Sequence, residues 1–392
     1  MEKKIRLGII GIGNMGSGHA CRVADGECPD FELTAVADIN PARRDWAAER
    51  LGKDVAFFDS AEAMLDSGLI DACIVATPHY AHPGLAIECM KRSIHVMVEK
   101  PAGVYTKQVR EMNEMADRHP EVVFGLMFNQ RTNCVYRKMR ELVQSGKYGR
   151  IRRTNWIITD WYRTQRYYDS GSWRATWKGE GGGVLLNQCP HQLDLLIWLC
   201  GMPNAVTAEC REGKWHRIEV EDDVTAALEF PNGAMGVFVA STGDLPGTNR
   251  LEIDCERGKI VCEDGAVRVW RMGVNEREIC FESDDPWYRE EVAPETLATD
   301  GENPQHAGVI NAFAAHLLRG EPLIAEAEDG LRALELSNAI HLSGWTGKRV
   351  EIPADREAFN RELEKRIATS QIRGGDDITY DTDHSCSGSR KK

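Results

Sequence analysis

The chain has 392 residues, 42% of them hydrophobic and 28% charged, a globular composition long enough for two cores rather than one. A formal net charge of -13 argues against nucleic acid, whose phosphates need clustered Lys and Arg. Twelve cysteines without a CxxC spacing read as reduced cytosolic thiols, and no stretch approaches the ~18 uninterrupted apolar residues of a membrane span.

At the N-terminus Lys3, Lys4 and Arg6 precede an apolar run, Leu7 to Ile10. The run is too short for a signal peptide and breaks into Gly11, Gly13 and Gly16, so a buried strand entering a tight loop is predicted. Up to residue 125 the strand-sized runs are Ile5–Ile10, Leu33–Ala37, Cys73–Ala76, His95–Val98 and Val122–Leu126. Amphipathic stretches such as Pro41–Leu51 and Pro83–Lys91 lie between them. That alternation predicts a parallel sheet with helices on both faces.

The first strand runs into Gly11-Ile12-Gly13-Asn14-Met15-Gly16, a GxGxxG pattern, and Asp38 ends the next strand. Together these predict a Rossmann dinucleotide-binding domain over residues 1–127. Gly11 permits the tight turn, Gly13 lets the backbone approach a pyrophosphate, and Gly16 lets the helix pack close. The helix N-terminus offers N–H groups to the anion. Asp38 would bond both adenosine ribose hydroxyls and repel a 2′-phosphate, which favours NAD. Arg43 and Arg44 lie close behind and soften that exclusion.

Two further segments follow strands at their carboxyl ends, where open α/β sheets bind ligands. They are Ala76-Thr77-Pro78-His79-Tyr80-Ala81-His82 and Glu99-Lys100-Pro101. A lysine there can hold a substrate hydroxyl and favour its alkoxide, and Pro101 restricts the backbone beside it. His79 and His82 are spaced i, i+3, but no thiolate or carboxylate cluster joins them, so no metal site is expected.

From Ile151 to Cys280 the pattern becomes strand, turn, strand. The predicted strands are Arg153–Trp161, Val206–Arg211, Val224–Phe230, Ala234–Ala240, Arg250–Cys255, Lys259–Cys262 and Ala266–Trp270, with helices near 133–145, 184–200, 304–319 and 326–342. Residues 128–353 are therefore expected to form an α+β substrate-binding and oligomerisation domain with a large, mainly antiparallel open sheet. Too few helices are available to cover both faces, which predicts a homodimer or homotetramer. Residues 354–392 are read as a helix and a disordered tail that begins near Ser370.

Within this second half Gly181-Gly182-Gly183 leads to Asn187, Pro190, His191 and Asp194. On one helix Asn187, His191 and Asp194 would share a face. If Pro190 marks the first turn, the positive helix end keeps His191 neutral, as suits a general base with a pH limb near the ordinary value of about 6.5. Between 156 and 177 lie Trp156, Trp161, Tyr162, Tyr167, Tyr168, Trp173 and Trp177, interleaved with Arg163, Arg166 and Arg174. Flat rings cover sugar faces and Arg donors fix hydroxyls. Any single one of these rings is more simply explained by packing.

These features resemble the Gfo/Idh/MocA oxidoreductases. The likeness rests on Gly11–Gly16, Asp38, Thr77-Pro78 with His82, Glu99-Lys100-Pro101, the Gly-rich run leading to His191, and Asn129 with Arg131, over roughly residues 3–352. It implies an open C-terminal sheet, NAD(P), usually sugar substrates, and Lys100 with His191 as the catalytic pair. The cofactor is expected to be NAD, held by Gly11, Gly13, Asn14, Met15, Gly16, Asp38, Thr77, Pro78, His82, Glu99, Lys100 and Asn129. The substrate is expected against Asn187, Asp194, Arg163, Trp173, Arg174, Trp161, Tyr162 and His306. Many members carry Asp where this chain has Asn187, and enzymes with Asn there include oxidants of C3 of hexosides or nucleotide sugars. The leading expectation is an NAD-dependent sugar or glycoside dehydrogenase. Two alternatives stand behind it: a glycoside hydrolase working by transient oxidation and elimination, and a non-catalytic NAD-binding regulator.

Overall fold

The computed structural model describes residues 4–371. In chain order the strands of the first half are β1 (Ile5–Ile10), β2 (Phe31–Ala37), β3 (Ala56–Phe58), β4 (Ala72–Val75), β5 (His95–Val98) and β6 (Phe124–Leu126). The helices between them are α1 (Asn14–Ala24), α2 (Ala42–Arg50), α3 (Ala61–Leu65), α4 (His82–Lys91) and α5 (Thr106–Arg118). The sheet order is β3-β2-β1-β4-β5-β6, and every pairing is parallel. Central strands such as β1 and β4 are apolar almost throughout because helices cover both faces. The order reverses between β1 and β4, and the loops after those two strands frame the crevice. The short strand β3 escaped the sequence reading: its three residues are only half-buried and give no run.

In the second half α6 (Cys134–Gln144) is followed by β7 (Ile151–Ile158), the short α7 (Gln165–Tyr168) and α8 (Pro190–Cys200). Then come β8 (Ala205–Glu212), β9 (Glu221–Glu229), β10 (Met235–Ser241), β11 (Asn249–Cys255), β12 (Gly258–Glu263) and β13 (Ala266–Arg271). The last elements are α9 (Glu276–Glu282), β14 (Glu295–Leu297), α10 (Gln305–Arg319), α11 (Ala327–Thr346), β15 (Val350–Glu351) and α12 (Arg356–Thr369). The nine strands lie in the order β14-β13-β12-β11-β7-β10-β9-β8-β15, antiparallel except for the central pair β7 and β10. One face buries Trp156, Val224, Ala226, Leu228, Phe238 and Leu251 beneath side chains of α6, α8 and α11. On the other face Met235 and Ile157 are 42% and 40% exposed, with Val237 and Val239 half-buried between them.

Three expectations change. The helix expected from residue 184 starts at Pro190, which has no amide proton to give a preceding turn and sits at a helix start, where none is needed. Residues 183–185 are held instead by Glu221, whose carboxylate accepts from the Gly183 and Leu185 amides at 2.9 and 3.0 Å. Second, the layer around the first sheet is not made by residues 1–127 alone. Val309, Ile310, Phe313 and Ala314 of α10 join Ile5, Leu7, Ile9 and Phe31 in one core, and Phe313 stacks on Phe31 at 6.3 Å. Third, the chain is still anchored at Ser370 and Gln371. Ser370 Oγ and the Gln371 amide donate to the Glu219 carboxylate at 2.5 and 2.8 Å. The rest of the expected tail lies outside the described residues.

Candidate active site

The site grows from the turn after β1. Gly11 has φ +83°, and a Cβ there would lie 2.7 Å from the Ala76 carbonyl oxygen of the neighbouring loop. A Cβ on Gly16 would meet the Gly11 oxygen at 1.8 Å, so α1 packs against its own entry loop only because residue 16 is glycine. A Cβ on Gly13 would meet no protein atom, so that backbone faces open space. Helix α1 begins there without a side-chain cap and without an acidic residue in its first turn, a place for an anion. Asn14 and Met15 form that first turn. Asp38 closes the far side: Oδ2 accepts from the Ile12 amide and Oδ1 from the Asn40 amide, both at 2.8 Å. Arg43 Nε donates to the Ile12 carbonyl at 2.7 Å, and its guanidinium covers Trp46. Across the crevice Thr77 Oγ1 is buried without a hydrogen-bond partner among the described residues, and Pro78 beside it is exposed. The open glycine cradle, the uncapped helix end and the orphaned hydroxyl fit a dinucleotide.

Two residues expected on the cofactor make hydrogen bonds inside the protein. Glu99 is buried, with Oε1 2.7 Å from His19 Nε2 and Oε2 accepting the Lys100 amide at 3.0 Å. Burial opposes its charge, but the His19 hydrogen bond and nearby positive groups outweigh that and hold its pKa down at about 2. His82 is also buried, its ring bridging the Pro101 and Thr77 carbonyls at 2.8 and 2.6 Å. Both side chains therefore brace the loops that carry Thr77 and Lys100. Asn129 meets Gln305 through its amide, Nδ2 to Oε1 at 2.5 Å. His306 lies not among the aromatic residues but against His19, ring centroids 5.4 Å apart, and burial pushes its pKa down to about 3.

Lys100 emerges at the end of β5, where its peptide bond to Pro101 is cis. Its Nζ donates to the Asn187 carbonyl at 2.9 Å and so reaches the turn that precedes α8. His191 occupies the first turn of α8, buried edge-on to Phe128, with Nδ1 lacking a partner among the described residues. Its pKa is driven well below 6.5, first by burial and then by the Lys100 ammonium, with Glu99 pulling weakly the other way. The expected neutral imidazole stands, with desolvation and Lys100 as its causes.

The expected trio of Asn187, His191 and Asp194 is not one helical face. Asn187 precedes the helix, its amide bonded to the Gly183 carbonyl at 2.8 Å. Asp194 is committed elsewhere: its oxygens accept from Arg131 Nη2 and Nε at 2.6 and 2.9 Å in a buried ion pair. Asn187 belongs instead to a network that includes Glu180 and Tyr167. Its Nδ2 donates to Glu180 Oε1, which turns its Oδ1 toward the Tyr167 hydroxyl at 3.2 Å. Tyr167 in turn accepts from Arg174 Nη1 at 2.8 Å and Gln188 Nε2 at 3.2 Å.

The aromatic run divides. Trp156 lies in the sheet core, Trp177 packs on Trp345 and His341, and Tyr168 donates to Thr242 at 2.7 Å, so these three are structural. Trp173 stands 5.7 Å from His79, under Arg174. Trp161 is buried beneath Arg163, whose Nη1 donates to the Trp161 and Tyr162 carbonyls. Sequence reasoning missed His19, Glu180 and Glu221. His19 lies three residues past Gly16 on the cofactor helix, a placement that gave a signal. An isolated glutamate gives none.

Among the described residues no three His, Cys, Asp or Glu side chains gather as a metal site, and no helix is long and apolar enough to cross a membrane. The chain matches the oxidoreductase family model for an NAD-binding Rossmann fold over residues 5–126 and the GFO/IDH/MocA C-terminal domain model over residues 136–261. It is 27% identical over 370 residues to the D-glucoside 3-dehydrogenase of Escherichia coli K12, covering 89% of this chain and 97% of that one. It is 25% identical over 345 residues to the myo-inositol 2-dehydrogenase of Thermotoga maritima, covering 86% and 95%. Among solved structures, the WlbA dehydrogenase of Bordetella pertussis, in complex with NADH and UDP-GlcNAcA, superposes with a TM-score of 0.76 at 28% identity, over 90% of this chain and 100% of that one.

Proposed function

Since the chain belongs to the Gfo/Idh/MocA family of NAD-binding oxidoreductases, we propose that it oxidises a ring hydroxyl of a sugar or glycoside, at C3, with NAD as the acceptor. The observation that carries this reading is the meeting of Lys100, from the end of β5, with the turn that delivers His191. With the dinucleotide's pyrophosphate held at the glycine turn, its nicotinamide would supply a hydride acceptor for the ring carbon. Lys100 Nζ holds the hydroxyl oxygen and stabilises its developing negative charge. His191, kept neutral by burial, takes the hydroxyl proton at a ring nitrogen. Asn187 carries no charge and cannot take a proton, so its role is to position Lys100 through its backbone carbonyl and Tyr167 through Oδ1. The C3 assignment draws support from the likeness to a D-glucoside 3-dehydrogenase.

Absorbance at the NADH band across a panel of glycosides and inositols tests the proposal. The expected result is NADH formation with a glycoside and a 3-keto product. Release of the aglycone without net NADH would overturn it in favour of a redox-neutral hydrolase. The same reading includes a reducing, cytosolic setting for the twelve cysteines. It also includes a second copy of the chain over the outer face of the nine-stranded sheet, where Ile157, Met235, Val237 and Val239 lie together.

A further inference from the structure

We propose that Arg174 forms a subsite for an anionic substituent of the sugar, a carboxylate or a phosphate. The inference rests on the sugar-dehydrogenase reading above and names the substrate class for that site. Among the described residues the Arg174 side chain makes one hydrogen bond, Nη1 to the Tyr167 hydroxyl, and no ion pair. Its guanidinium lies 4.7 Å from the Tyr167 ring centroid and 4.8 Å from that of Trp173, and its Nε is buried without a partner. The Arg163 guanidinium lies 5.1 Å from the same Tyr167 ring. Two guanidinium groups thus share one phenol ring.

The carboxylate that Arg174 senses, Glu180, is already committed. One oxygen accepts from Asn187 Nδ2 and the other from the Ala175 amide at 2.6 Å. Burial raises the Glu180 pKa against the pull of Arg174, which weakens it further as a counter-ion. Asn187 adds no charge. The chain Arg174–Tyr167–Asn187 ends at Lys100, so Arg174 stands a few hydrogen bonds from the reacting hydroxyl. A planar guanidinium held against rings with donors unspent is suited to a carboxylate or phosphate oxygen pair. A neutral sugar would leave that charge uncompensated.

Calorimetric binding to the NADH-loaded enzyme, which cannot turn these ligands over, tests the subsite with D-glucose, D-glucuronate and D-glucose 6-phosphate at low and high salt. At low salt an anionic sugar should bind at least about tenfold tighter than glucose, as a charge-assisted hydrogen bond provides. Which of the two binds tighter identifies carboxylate or phosphate. The advantage should shrink in high salt and vanish in Arg174→Gln, with Arg174→Lys retaining part of it. The NADH affinity of each variant reports that it is folded. Equal affinity for glucose and both anions, failure of both anions to bind, or a preference intact in Arg174→Gln would each overturn the subsite. If neutral glycosides reduce NAD while no anion is preferred, the dehydrogenase reading stands and the subsite falls. If an anionic sugar binds through Arg174 and nothing is oxidised, the reverse holds.

Discussion

At His191 the structure revises where the pH limb should lie. Burial and the Lys100 charge hold the imidazole neutral well below pH 6.5, so kcat/KM should stay level as the pH falls through 6.5 and decline only further down. His191→Asn should lower kcat by about 10²–10⁴-fold with NADH binding nearly intact. A variant that turns over at the wild-type rate, with the acid limb unchanged, would remove His191 as the base. Asp38 carries the second residue-scale expectation. Both its oxygens already accept loop amides, yet its charge remains at the ribose end of the cradle. Steady-state kinetics with each cofactor should favour NAD, and Asp38→Ala should narrow the ratio. A wild type faster with NADP would show that Arg43, bonded to the Ile12 carbonyl, governs that end.

The entry to α1 separates binding from folding within one element. A Cβ at Gly13 meets nothing in the protein, so Gly13→Val should keep its melting temperature within a few degrees while NADH affinity falls at least tenfold, about 1.4 kcal/mol. A Cβ at Gly16 collides with the Gly11 carbonyl, so Gly16→Ala should lose both stability and affinity. Melting curves and NADH titrations on the two variants distinguish these outcomes, and equal melting temperatures would contradict the packing role of Gly16. The α8 element shows how a helix boundary changes a chemical reading. Starting at Pro190 rather than residue 184, it leaves Asn187 in a turn and Asp194 on Arg131. The i, i+4, i+7 spacing was visible in the sequence. The carboxylate of Glu221 that shapes the turn was not, because it arrives from a strand more than thirty residues later.

Over the whole molecule, the uncovered sheet face makes self-association the expected state. Light scattering at micromolar concentration should report a particle larger than the 43.9 kDa chain. Val237→Asp, on the outer face of a central strand, should shift it toward monomer by placing a charge in the contact. A monomeric wild type would remove the assembly.

By itself the sequence determined the strand-and-helix rhythm of the first sheet, the glycine turn and Asp38, the antiparallel second sheet, and Lys100 and His191 as the groups to watch. Each of these is encoded locally: apolar runs bury as strands, glycines mark backbone conformations or close approaches that other residues resist, and short motifs sit at strand ends. Only the tertiary structure decided that α10 returns to the first sheet, that Glu99 and His82 brace loops through buried hydrogen bonds, and that Asp194 belongs to Arg131. It also decided that Arg174 forms no ion pair among the described residues. Those outcomes turn on which charged and polar side chains meet inside the protein, where a buried group must find a partner. The partners lie tens to hundreds of residues apart along the chain, so no local pattern announces them.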